Sequence, residues 1–188
     1  MDYYNEVFTD IEQLPLVWAD HEFEQCTFKK LDLSRAVLAK ANLINCRFED
    51  SKLTQVDLTQ AKLNDVKFIN CQLPQVDFSV CNSFGFGVAF DGCQLDYAVF
   101  LNLKLKKTSF IDCSMKEVHF VACDLTGSGF KNCNLELAKF DNNNLSQVDF
   151  STSYHVSLDP AENKVKKARF SVHNLPGLLT KYDLVIRE

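Results

Sequence analysis

The chain has 188 residues, 46% of them hydrophobic and 16 of them Phe, which is one domain's length with ample material for a core. Its net charge of −5 is unevenly spread: residues 1–25 hold seven acids (Asp2, Glu6, Asp10, Glu12, Asp20, Glu22, Glu24) and no Lys or Arg, while the segment after Pro160 is basic. The repeats between are nearly neutral, which argues against a dedicated nucleic-acid binder; no stretch reads as a signal peptide or membrane span, and the expectation is a soluble cytoplasmic protein.

Residues 1–22 are the least regular and read as an N-terminal cap. Phe8 and Trp18 are expected to cover the open end of a first coil. The acids beside them form a solvated face or a docking surface.

From Phe23 to Phe78 every fifth residue is large and apolar, twelve in succession. Phe28, Phe48 and Phe68 recur every twenty residues, and the positions between them, Leu33, Leu38, Leu43, Leu53, Leu58 and Leu63, are all Leu. A period of five fits neither a helix nor a plain strand, so this is a repeat. Each large centre is preceded, two residues earlier, by a mostly small residue. Both point inward, the residue between them points outward, and the next two must turn the chain. A right-angle turn per repeat closes a coil after four repeats, so the expected fold is all-β, a four-walled β-helix with coils about 4.8 Å apart.

Residues 79–89 carry two extra residues, since Phe78 and Phe90 are twelve apart instead of ten. The glycines there indicate a bulge with Phe84 or Phe86 as filler, or else an exposed loop that presents an aromatic to a partner. The second stack, residues 90–150, alternates Phe with Leu or Met at thirteen consecutive centres, from Phe90 to Phe150. On its outer surface Val99, Leu101, Val121 and Ala122 share the wall centred on Phe100, Phe120 and Phe140, with Tyr97 and Ile111 on neighbouring walls. That apolar patch is a candidate contact surface. Lys104, Lys106 and Lys107, on the face centred on Leu105, form a solvated cluster in preference to a phosphate site.

The eight cysteines (Cys26, Cys46, Cys71, Cys81, Cys93, Cys113, Cys123, Cys133) all occupy the small inward position, where each is a buried small hydrophobe. Straight stacking suits neither a disulfide nor tetrahedral zinc. Asn143 is the one distinctly polar inward residue.

Residues 151–173 read as a loosened last coil, broken at Asp159-Pro160 and restored at Ala168 and Phe170. In residues 174–188, Asn174 reads as a helix cap and Pro176 as a first-turn residue. The short helix would carry Leu175, Leu178, Leu179 and Tyr182 on one side, and residues 183–188 would form a short strand. This segment caps the last coil, and its surplus of apolar side chains marks it as a homodimerisation surface.

No phosphate loop, metal motif or convergent catalytic set is legible, and His21, His119, His155 and His173 are scattered. The chain reads as non-enzymatic, with no cofactor.

The triplets Ala41-Asn42-Leu43, Val56-Asp57-Leu58, Val76-Asp77-Phe78, Cys123-Asp124-Leu125, Cys133-Asn134-Leu135 and Val148-Asp149-Phe150 resemble the motif of the pentapeptide repeat family. The resemblance covers about residues 23–150 and implies a right-handed quadrilateral β-helix. Within that family the Cys-rich repeats, the two stacks with a short irregular junction and the terminal helix look most like the quinolone-resistance branch. That likeness implies a dimeric DNA mimic whose partner is a type II topoisomerase, DNA gyrase or topoisomerase IV, protected from fluoroquinolones. Mimicry needs carboxylate rows, and the candidates are Asp57 and Asp77 on one wall and Asp96, Glu117 and Glu136 on another. The outward rows mix Lys with Asp, and no long loops project. A scaffold or regulator with an unrelated protein partner is the alternative.

Overall fold

The computed structural model describes residues 2–15 and 17–185. Its strands, of two to four residues each, are all parallel and assemble into walls. The second wall is a seven-stranded sheet running from Val7–Phe8 through Val66–Ile69 and Val88–Asp91 to Gly129–Lys131. The first wall begins as a four-stranded sheet over Asp2–Tyr4, Glu22–Glu24, Asn42–Ile44 and Lys62–Asn64. Val99–Leu101, His119–Val121 and Lys139–Asp141 form the regular part of the fourth wall. The third wall is a ladder of single bridges, Asp32 to Lys52 to Gln72 to Gln94 to Ser114 to Asn134 to Tyr154.

Inward alternation decides the packing. From Phe8 onward the inward strand residues are buried, Tyr3 in the first strand being only partly so, and Phe23, Phe28, Phe100, Phe110 and Phe120 are fully enclosed. On the second wall Phe8, Phe28, Phe48, Phe68, Phe90, Phe110, Phe130, Phe150 and Phe170 stack in one column, with neighbouring ring centroids 4.6–5.4 Å apart. Opposite it, Phe78, Phe100, Phe120 and Phe140 stack at 4.8–5.2 Å. The two columns meet edge to face, as at Phe100 and Phe110, 6.3 Å apart at 88°. Each enclosed Phe contributes about 2–3 kcal/mol by burial, and each favourable ring pair about 0.5–1.5 kcal/mol more.

The corners are built from left-handed residues. The second turning residue of most repeats has positive φ, from 51° at Asp50 to 71° at Gly127. Its N–H donates to the next coil, as from Gln25 to the Ile44 carbonyl (2.9 Å) and from Glu117 to the Glu136 carbonyl (2.9 Å). Asn and Asp tolerate this conformation best, but Lys, Gln and Leu also hold it here, because coil-to-coil hydrogen bonds over-determine it.

Inward polar groups follow the same logic. The Cys46 thiol donates to the Phe23 carbonyl (3.1 Å), and Cys71, Cys93, Cys123 and Cys133 donate in the same way to Phe48, Phe68, Phe100 and Phe110 (3.3–3.4 Å). Asn143 donates to the Phe120 carbonyl (2.8 Å) and accepts from the Cys123 N–H (2.8 Å). Asn163 repeats this one coil on, donating to the Phe140 carbonyl and accepting from the Asn143 N–H. All eight cysteines are buried.

Three details differ from the reading of the sequence. The solenoid starts at Asp2, not at Phe23: Asp2–Tyr4 and Val7–Phe8 already pair with the coil below. Tyr3, Phe8, Trp18 and Phe23 keep the five-residue register and only Gln13 interrupts it; Gln13 is instead drawn into a short 3-10 turn, where its side chain accepts from the Asp10 N–H. Trp18 covers the end, 4.8 Å from the Phe23 ring and 5.3 Å from the Phe28 ring.

The second difference lies in the detail of the far end. The expected short helix is there, as 3-10 segments over Val172–Leu178 and Thr180–Tyr182. Asn174 is not its cap but a buried residue, donating to the Phe150 and Ser153 carbonyls and closing the last coil. Gly177 lies so close to the Val156 carbonyl that any Cβ would collide with it. The expected strand over 183–188 does not form at Asp183, which takes a left-handed turn, nor at Leu184 and Val185, and Ile186–Glu188 lie outside the described residues.

The third concerns the junction, which combines both readings. Phe86 fills the core at 8% exposure, while Phe84 stands outward at 90%. The Asn82 side chain accepts from the Phe84 N–H (2.9 Å), and Gly85 takes φ +71°. The second wall runs straight through: Phe68 pairs with Phe90 across the two extra residues.

Candidate partner-binding surface

The interior is filled, so chemistry and recognition fall to the outer walls. Among the described residues no group of three or more His, Cys, Asp or Glu is placed to hold a metal ion. No described helix is long and apolar enough to cross a membrane.

The proposed carboxylates do not form one row. Asp96 and Glu136 occupy equivalent places on the third wall, two coils apart, and Lys116 lies between them. Lys116 Nζ reaches Glu136 Oε2 at 2.9 Å, and the Lys116 N–H donates to Asp96 Oδ1 at 3.0 Å. The Ser114 hydroxyl donates to the same Asp96 oxygen (2.6 Å). The Lys116 hydrogen bond holds the Glu136 carboxyl below its ordinary pKa and raises that of Lys116 in return. Glu117 sits at the adjoining corner, where its charge pushes the Tyr97 phenol up. Asp57 and Asp77 each accept from a residue two further on, Thr59 and Ser79, which fixes their turns.

On the fourth wall Val99 pairs with His119, and Leu101 with Val121. Leu101 is 39% exposed, Val99 and Val121 are partly exposed, and Lys139 and Asp141 bound the patch on the next coil. Two corner residues extend it, Tyr97 at 51% and Leu137 at 69% exposure. Leu137 escaped the sequence reading, although an apolar residue at a corner position was the available signal.

The strongest outlier is Phe84, whose exposure leaves a whole aromatic ring in solvent. At the C-terminal end Leu175, Leu178, Leu179 and Tyr182 line a groove of about 340 Å³ against Pro160 and Ala161. Leu175, Leu179 and Tyr182 are exposed, whereas Leu178 packs partly on the core. Lys181 Nζ and Asp159 Oδ2, 2.7 Å apart, hold the rim together.

These features define a parallel β-solenoid whose accessible surface is its walls, corners and ends. The chain belongs to the pentapeptide repeat family: the family profile described as the pentapeptide repeat region matches residues 21–100 and 98–170. Among solved structures it is similar to HetL, a pentapeptide repeat protein involved in heterocyst differentiation regulation from the cyanobacterium Nostoc sp. strain PCC 7120. That likeness has 15% identity and a TM-score of 0.50, and covers 90% of this chain and 84% of that one. A trypsin-treated form of QnrB1, a plasmid-mediated fluoroquinolone resistance protein, aligns at 16% identity and a TM-score of 0.45, over 100% of this chain and 97% of that one. A pentapeptide repeat protein from the Arabidopsis thaliana thylakoid lumen aligns at 19% identity and a TM-score of 0.30, over 63% and 68%. By sequence, no curated protein matches the chain.

Proposed function

We propose that this protein is a non-enzymatic rod that binds a protein partner through its outer surface, and that the partner is a type II topoisomerase. The observation that carries the binding reading is Phe84, 90% exposed beside Phe86 at 8%. An ordered loop that buries one aromatic and holds another out presents an anchor suited to a partner's pocket. The topoisomerase assignment rests on the Cys-rich repeat motifs and on shape. Nine stacked levels on the second wall give a rod of roughly 38 Å at about 4.8 Å per step. The exposed leucines of the C-terminal groove support a homodimer about twice that length.

Supercoiling by DNA gyrase, with and without ciprofloxacin, tests this directly. The expected result is inhibition or drug rescue at tens of micromolar protein, weakened in Phe84→Ser. If neither effect is seen, the topoisomerase assignment is wrong. A second reading, a scaffold for an unrelated protein, is favoured by one observation: Lys116 interrupts the carboxylates that DNA mimicry would need.

A further inference from the structure

The coil around Phe130 has two glycines at its outward positions, Gly127 at the corner and Gly129 on the strand. The backbone demands neither. The equivalent corners carry Lys107, Gln147 and Lys167, with φ of 56°, 61° and 59°, beside +71° at Gly127. Gly129 has no left-handed φ, and a Cβ there would meet nothing within 4 Å. Glycine in a strand is disfavoured against Ala by about 0.5–1 kcal/mol, so an ordinary side chain would suit this site better. What the two glycines do produce is a notch of about 750 Å³ in the corner of the first and second walls.

Cations bracket the notch. Lys107 stands one coil before the glycines, and Lys167 and Arg169 two coils after them. Among the described residues Lys107 and Lys167 make no ion pair, while Arg169 reaches Asp149 Oδ2 at 3.3 Å. Asp149 also accepts from the Ser151 N–H and hydroxyl, so its charge is already engaged. Three cations against one carboxylate leave two positive charges over. The glycine stretch itself offers no free donors: the Gly127 and Gly129 N–H groups donate to Ser146 and Thr108, and the Ser128 hydroxyl to Leu105. Recognition therefore falls to the cationic side chains at the two ends and to the exposed Gln147 amide between them.

We propose that this notch binds an anion of two or more linked phosphates. Lys107 and Lys167 are three coil steps apart, roughly 14 Å along the axis, too far for one phosphate to bridge. A linked pair lying across the glycines brings a phosphate towards each end, where ammonium and guanidinium are the usual partners. The source is either a free oligophosphate or the phosphate backbone of a nucleic acid.

The test is calorimetric titration of the full chain at low salt with inorganic pyrophosphate, orthophosphate and a short single-stranded oligonucleotide. Pyrophosphate should bind one per chain and more tightly than orthophosphate. Lys107→Glu with Lys167→Glu should weaken it by about tenfold or more. Gly129→Leu should abolish binding by filling the notch, with the melting temperature held or raised because its Cβ has open space. An oligonucleotide that binds at the same site, and competes with pyrophosphate, identifies a backbone as the source. No pyrophosphate binding at millimolar concentration, or binding undiminished in Gly129→Leu, overturns the proposal. Neither outcome depends on whether gyrase is a partner.

Discussion

Lys116 and Glu136, twenty residues apart in sequence, stand on adjacent coils with Nζ and Oε2 separated by 2.9 Å, and the same lysine's N–H is bonded to Asp96. This places a cation in the middle of what would otherwise be a carboxylate row. The pair is solvent-exposed, so it adds little to folding. Its effect is on the surface field. Lys116→Gln should leave the melting temperature unchanged and strengthen binding to a cationic partner surface, with steeper salt dependence. A gyrase competition assay across a salt series checks this; unchanged affinity in the variant would remove Asp96 and Glu136 from the contact.

The core makes a sharper demand. Phe120 is wholly buried, stacked 4.8 Å from Phe100 and 5.2 Å from Phe140. Phe120→Asp leaves an unpaired carboxylate in that column and should cost several kcal/mol, enough to unfold the solenoid. His119→Asp, one residue away and facing out, should change stability by no more than about 0.5 kcal/mol. Thermal melts of the two variants should differ widely.

The thiols set an alkaline limit. Burial pushes Cys46 and Cys81 up to about 12 from an ordinary 9.0. In the unfolded chain they ionise near 9, while the folded chain keeps them protonated. Their contribution is therefore fully present below pH 9 and is lost as pH rises towards 12. Denaturant midpoints should fall across that window and stay flat from pH 7 to pH 9. All eight cysteines should react slowly with a thiol reagent until the chain unfolds; fast native labelling of Cys113 would contradict their burial.

The terminal groove separates capping from assembly. Leu175 and Leu179 are exposed, while Leu178 is partly buried against the core. Leu175→Ser with Leu179→Ser should give a folded monomer by light scattering if the groove joins two rods about a two-fold axis. Gly177→Val should act differently, forcing the 3-10 turns off the Val156 carbonyl and lowering the melting temperature. A wild-type chain that is monomeric at micromolar concentration would reduce the groove to a cap.

Phe84→Ser should be neutral or slightly favourable for stability, because the ring contacts almost nothing. Phe86→Ser should destabilise by opening the core. Loss of partner binding in the first with retained folding is the outcome that assigns the loop to recognition.

Side-chain direction in this chain depends only on place within a five-residue unit, so the sequence by itself determined the coil, the inward and outward sets and the burial of every cysteine. Phe100 and Val99 could be sorted without coordinates because that rule is local and its period holds from Phe90 to Phe150. The rule fails where the unit is broken. At Phe84-Gly85-Phe86-Gly87 either aromatic could have turned inward, and only the folded coil shows Phe86 buried and Phe84 in solvent. Gln13, polar at a centre position, hid the first coil. Asn174 looked like a cap because its carbonyl partners, on Phe150 and Ser153, lie more than twenty residues away. The surface was least legible for the same reason. Lys116 meets Glu136, and Gly127 opens a space between Lys107 and Gln147, because twenty residues of chain return each wall to the same place one coil higher. Such neighbours exist only after the coil has closed.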